Sequence, residues 1–92
     1  MVRAHIGHRL VGYALLRVFF EGDVDFHDLA VHANYQREGC GTALCEEAIS
    51  WMNELECVEM SALPTSSASY RLFTRCGFQP GPVSGALVLR LR

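Results

Sequence analysis

Ninety-two residues, half of them hydrophobic and a fifth charged, suit one domain, residues 1–92, with one modest core, and are too apolar for a disordered chain. The formal net charge is −2, and the eight basic residues are all arginine, scattered rather than run together. That argues against a nucleic-acid surface, and the apolar runs are too short for a membrane span and unlike a secretory leader.

Residues Val2 to Ile6 read as a short strand, Gly7-His8-Arg9 as a turn, and Leu10 to Phe20, rich in branched and aromatic residues, as a second strand with Arg17 facing out. The two suggest a hairpin. After a turn at Glu21-Gly22-Asp23, Val24 to Val31 reads as a third strand. Strict alternation predicts Asp25, His27, Leu29 and Val31 on one face, and Val24, Phe26, Asp28 and Ala30 on the other. Thr42 to Leu55 reads as the main helix, with Ala43, Leu44, Ala48, Ile49, Trp51, Met52 and Leu55 as its core side and Glu46, Glu47, Ser50, Asn53 and Glu54 as its wet side. Cys57 to Leu63 reads as a short strand stopped by Pro64. Thr65, Ser66 and Ser67 offer N-cap oxygens for a short helix that runs to about Cys76 and ends at Gly77. Gln79 to Gly85 reads as a loop, and Ala86 to Arg92 as a last strand. The order is β-β-β-α-β-α-β. The strand-helix-strand unit implies a parallel pair with a right-handed crossover, so the fold class is α/β, a mixed sheet with packed helices.

Cys40, Cys45, Cys57 and Cys76 form no C-x-x-C, and His5, His8, His27 and His32 complete no zinc pattern. The expectation is no metal site, and reduced thiols in a cytoplasmic protein.

The chain is organised around Leu29 to Leu44. There an apolar strand ends at Val31, and a loop containing Gln36-Arg37-Glu38-Gly39-Cys40-Gly41 opens into the helix at Thr42. Two glycines let the backbone turn and approach a ligand closely. The helix start leaves backbone N–H groups without partners, and these, with the dipole, suit an anion such as phosphate. Neither G-x-x-x-x-G-K-[ST] nor G-x-G-x-x-G is present.

What is present is Q/R-x-x-G-x-G/A. This stretch resembles the cofactor loop of the GNAT superfamily of N-acetyltransferases. Leu29-Ala30-Val31 upstream and Phe73-Thr74-Arg75-Cys76-Gly77-Phe78 downstream, similar to the family's Y-x-x-x-G-F, fit in the same order. The resemblance covers nearly the whole chain but only the later part of the family's fold, without the usual first strand and two helices.

The resemblance implies direct attack of a primary amine on acetyl-CoA. Leu29, Ala30 and Val31, diverging from the next strand, would contact the pantetheine arm, with the Val31 amide facing the thioester oxygen. Arg37, Glu38, Gly39, Cys40, Gly41 and Thr42 would hold the pyrophosphate. Ser66 stands where the family often has a cofactor-binding Asn, and Phe73 stands where it has its proton-donating Tyr. A phenyl ring donates no proton. Tyr70, one turn earlier, is the candidate substitute, while Asp25 and His27 are the candidate bases. Asp28, expected on the opposite face, is a poorer one. The partner implied is a small-molecule or peptide amine acceptor, with no nucleic acid and no membrane expected, and a homodimer through an exposed sheet edge belongs to the truncated-scaffold alternative that follows. Phe73, Ser66 and the absent helices leave two alternatives open: a non-catalytic acyl-CoA-binding module, or a truncated scaffold.

Overall fold

A computed structural model describes residues 2–6, 9–19, 22–32 and 39–92. The branched and aromatic runs form strands: β1 (Val2–Ile6), β2 (Arg9–Val18) and β3 (Asp23–Val31). Helix α1 (Cys40–Glu54) follows, then β4 (Glu59–Ala62), α2 (Ser67–Arg75), β5 (Gln79–Pro80) and β6 (Leu87–Arg90). The six strands make one sheet in the order β1-β2-β3-β4-β6-β5. β3 and β4 are parallel, and every other neighbouring pair is antiparallel. The mixed α/β sheet expected from the sequence is therefore present, with a hairpin at its start and one crossover through α1.

Local chemistry sets the helix ends. Gly39 takes a left-handed conformation at φ 82°, which only glycine adopts without steric cost, so α1 begins at Cys40, two residues before the sequence-based boundary. At the start of α2, Ser66 Oγ accepts from the Ser69 amide while Ser69 Oγ accepts from the Ser66 amide at 3.0 Å, a reciprocal cap. Gly77, at φ 103°, ends α2 as expected. The two-residue β5 was read as loop. Pro80 lacks an N–H and suits only an edge strand, which is where it lies.

Leu44, Cys45, Ala48 and Met52 of α1 and Phe73 of α2 join one buried cluster with Ala14, Val24, Phe26, Met60, Ala62 and Leu87 of the strands. Both helices therefore lie on one face of the sheet. Phe26, Phe73 and Phe78 form its aromatic centre, with ring centroids 5.2 to 6.0 Å apart. A fully buried side chain of this size contributes roughly 1.5–3 kcal/mol relative to an exposed one. Trp51, expected in the core, is instead 38% exposed. It sits at an open cavity of about 650 Å³ between β1 and α1, beside Val2, Ala4 and Glu47. Among the described residues no helix covers the other face of the sheet, and none is long and apolar enough to cross a membrane.

One irregularity changes which side chains share a face. Leu15 of β2 pairs with Asp28, but Leu16 pairs with Phe26, so β3 holds an extra residue, His27, in a bulge. An extra residue reverses the parity of the alternation beyond it. Directly paired residues share a face, so Arg17 and Asp25, Leu15 and Asp28, and Tyr13 and Ala30 all lie on the uncovered face. Leu29 and Val31 turn back to the helices and pack on the core. Two expectations are corrected here. Asp28 lies on the same face as Asp25, and Leu29 and Val31 do not.

Candidate active site

β3 and β4 pair at Asp23↔Glu59, Val24↔Met60 and Asp25↔Ser61, and there the pairing stops. β3 runs on to Val31, while β4 ends at Ala62. The two strands thus separate beyond the Asp25↔Ser61 pair. His32 N–H donates to Val11 O at 2.7 Å, towards β2. By strand alternation, the amides of Leu29 and Val31 are turned to the other side, towards the opening.

The N-terminus of α1 lies close to this edge. Ala43 N–H makes the first turn's bond to Gly39 O at 2.9 Å. The amides of Cys40, Gly41 and Thr42 precede it, and no side chain among the described residues caps them. A Cβ built on Gly41 would lie 3.4 Å from a Leu72 methyl of α2 and 3.9 Å from Val31 Cγ2. That places α1, α2 and the end of β3 around one point. A Cβ on Gly39 would meet nothing within 4 Å, so this glycine borders open space. The donor set of uncapped amides at the positive end of a 15-residue helix fits an anionic phosphate group.

The remaining sequence-predicted residues fall as follows. Arg37 and Glu38 lie outside the described residues. Gly39, Cys40, Gly41 and Thr42 form the first turn of α1, and Leu29, Ala30 and Val31 form the diverging end of β3. Ser66 Oγ is engaged in the α2 cap. Phe73 is 4% exposed and packed between Phe26 and Phe78. Tyr70 is 47% exposed on α2. His27 is exposed at the bulge. Asp25 accepts two bonds from Arg17, from Nε at 3.0 Å and from Nη2 at 2.7 Å. The Asp25 hydrogen bond raises the Arg17 pKa above its ordinary value. The structure brings the strand edge and the α1 turn together. It packs Phe73 into the core and engages Ser66 Oγ in the α2 cap.

Sequence reading missed one pair. Tyr13 Oη donates to Asp28 Oδ2 at 2.6 Å on the uncovered face. This hydrogen bond, then the charge of Asp28, raises the Tyr13 pKa, so Tyr13 stays a neutral donor. The signal that could have exposed the pair is the hairpin register, had the bulge been allowed for.

A splayed parallel pair beside an uncapped, glycine-led helix start defines an acyl-CoA-type site on a mixed sheet. The chain belongs to the Acetyltransferase (GNAT) family, whose profile it matches over residues 1–78. Its structure is similar to a Bacillus subtilis acetyltransferase in complex with CoA, with 21% identity, 98% of this chain and 75% of that one covered, and a TM-score of 0.87. It is also similar to the ribosomal-protein-S18-alanine N-acetyltransferase from Escherichia coli, with 20% identity, coverage of 94% and 63%, and a TM-score of 0.78. A third similar structure is the PaiA N-acetyltransferase from Thermoplasma acidophilum in complex with coenzyme A, with 17% identity, coverage of 96% and 58%, and a TM-score of 0.85. The chain thus spans less than two thirds of the length of the latter two proteins. No curated protein sequence matches it.

Proposed function

We propose that this chain binds acetyl-CoA in the opening between β3 and β4 and transfers the acetyl group to a primary amine. The observation that carries this reading is the end of β3–β4 pairing at Asp25↔Ser61, next to the uncapped first turn of α1. The amides of Cys40, Gly41 and Thr42, with Arg37 and Glu38 of the same loop, hold the pyrophosphate. The main chain of Leu29, Ala30 and Val31 aligns the pantetheine arm as an added strand would be aligned. Acetyl-CoA supplies an activated acyl group on a thiolate leaving group.

The residues of this chain then orient the amine and move its proton. His27, exposed one residue before Asp28, accepts a proton directly or through water, an assistance typically worth about 10²–10⁴-fold. Asp25 is held by Arg17 and serves to fix the β2–β3 pair. Phe73 cannot return a proton to the leaving thiolate, so Tyr70 or solvent does. A second reading, a CoA-binding module without turnover, is favoured by that same packed Phe73. Amine acetylation separates the two.

The test is a thermal shift of the purified chain with acetyl-CoA, CoA and ADP. A ligand that binds only the folded state raises apparent stability by about 2.7 kcal/mol at a hundredfold excess over Kd. A shift with acetyl-CoA and CoA is expected. A folded sample with no shift at millimolar ligand would refute the proposal.

A further inference from the structure

The uncovered face of β2 and β3 carries two carboxylates, and they differ. Asp25 is neutralised by Arg17 through two hydrogen bonds. Among the described residues Asp28 has no ion-pair partner. The ion pairs among the described residues are Arg17–Asp25 and Arg90–Glu59, and neither involves Asp28. Its one hydrogen-bond partner among them is Tyr13, which takes Oδ2 and leaves Oδ1 unengaged. A phenol donating at 2.6 Å fixes the carboxylate without cancelling its charge.

Position adds to this. The bulge at His27 puts Asp28 on the uncovered face, immediately before the Leu29–Val31 edge at which β3 has parted from β4. Tyr13 itself pairs with Ala30 of that edge. A fixed, uncompensated negative charge therefore stands at the opening, on the side of the sheet that no described helix covers. An acceptor amine bears a positive charge at neutral pH and needs such a group to dock.

We propose that Asp28, held in place by Tyr13, is the anchor for the ammonium group of the acceptor, so that this chain selects amines that arrive as cations on the uncovered face. The inference rests on the acetyltransferase reading above and adds its substrate class. Asp28 touches the substrate, and Tyr13 is a positioning residue. Hydrogen bonds to a charged group are strong enough that losing one changes binding by about tenfold or more.

The experiment uses the full chain and a panel of phenethylamine, spermidine, kanamycin and a tetrapeptide with a free N-terminal alanine. Steady-state acetylation is followed by thiol release, with the CoA thermal shift measured alongside. Asp28→Asn is expected to raise the KM for a reactive amine about tenfold or more, to change kcat by less than about threefold, and to keep the wild-type CoA shift. Asp28→Glu recovers part of the lost KM, and Tyr13→Phe raises KM by a smaller factor. Asp23→Asn removes the same charge at the far end of β3, about 15 Å away, beyond the screening length, and leaves KM unchanged. A wild-type chain that shows no CoA shift overturns both readings. A chain that binds CoA but acetylates none of the panel overturns this inference together with the transfer reading and leaves the CoA-binding module, whereas one that acetylates the panel with unchanged KM in Asp28→Asn overturns this inference alone.

Discussion

Replacing Gly39 and Gly41 one at a time by alanine separates their two roles at the α1 start. Gly39 stands at φ 82°, where an L-residue costs roughly 1–2 kcal/mol. Gly39→Ala should therefore lower the unliganded Tm by about 4–8 °C for each kcal/mol lost. Its new methyl would project into open space, since nothing lies within 4 Å, and that space is where the loop is proposed to hold pyrophosphate. The CoA-induced shift should fall with it. Gly41 has no positive φ, and its Cβ would meet Leu72 at 3.4 Å, an ordinary contact on the protein side. Gly41→Ala should instead stabilise the chain by about 0.4–1 kcal/mol, because alanine loses less entropy on folding, and should keep the CoA shift. Differential scanning fluorimetry at several CoA concentrations measures both quantities for both variants. A Gly39→Ala chain that keeps the full wild-type CoA shift would refute the placement of the phosphate site. A Gly41→Ala chain that is destabilised would refute the reading of its surroundings.

Gly12→Ala should be destabilising by about 1–3 kcal/mol, because a Cβ there would lie 2.9 Å from Ala30 O and 3.0 Å from Leu44 Cδ1; urea unfolding reads the loss. Phe73→Leu removes two ring contacts, at 5.2 and 5.3 Å, each worth about 0.5–1.5 kcal/mol beyond area burial, so the urea midpoint should drop with an unchanged m value. The Cys45 thiol, raised above its ordinary 9.0 by burial first and then by Cys76 and Glu46, keeps its proton in the folded chain at a pH where the unfolded chain has lost it. Its contribution is complete below the ordinary thiol value and declines as pH rises past it, so between about pH 8 and about pH 10 the wild-type urea midpoint should fall more steeply than that of Cys45→Ala.

The sequence exposed the element order, the hairpin, the cap residue Ser66 and the stop at Gly77, because each rests on chemistry within a few residues. The loop before α1 was legible for the same reason: Gly39 marks the point where that backbone takes a left-handed turn into the helix. The side-chain faces of β3 were not legible. Period-two alternation assumes one residue against one residue, and His27 breaks that count without any glycine or proline to mark it. The error then carried through Asp28, Leu29 and Val31 together. Trp51 was misplaced for a different reason. It follows the helical spacing of a core residue, but it lies at an open cavity between β1 and α1 and is 38% exposed. Phe73 was read by its place in a motif that also holds Phe78, whereas its other ring neighbour, Phe26, comes from a distant part of the chain and could not be seen locally.

The bulge also explains how one strand can serve two surfaces. Before His27, Val24 and Phe26 face the helices and Asp25 faces out; after it, Leu29 and Val31 face the helices and Asp28 and Ala30 face out. Without the bulge, regular alternation through His27 would send Leu29 and Val31 to the uncovered face and drive Asp28 into the helix-side core. A carboxylate buried there without a partner would cost several kcal/mol. The bulge takes His27 out of the pairing and so keeps apolar side chains under both helices along the full strand. It also sets Asp25 and Asp28 on the same outward face, one clamped by Arg17 and the other held by Tyr13. The distribution of charge at the opening is therefore a consequence of strand register, and deletion of His27 should give continuous β2–β3 pairing with Asp28, Leu29 and Val31 on their observed faces, so the chain should still fold, which circular dichroism and urea unfolding check.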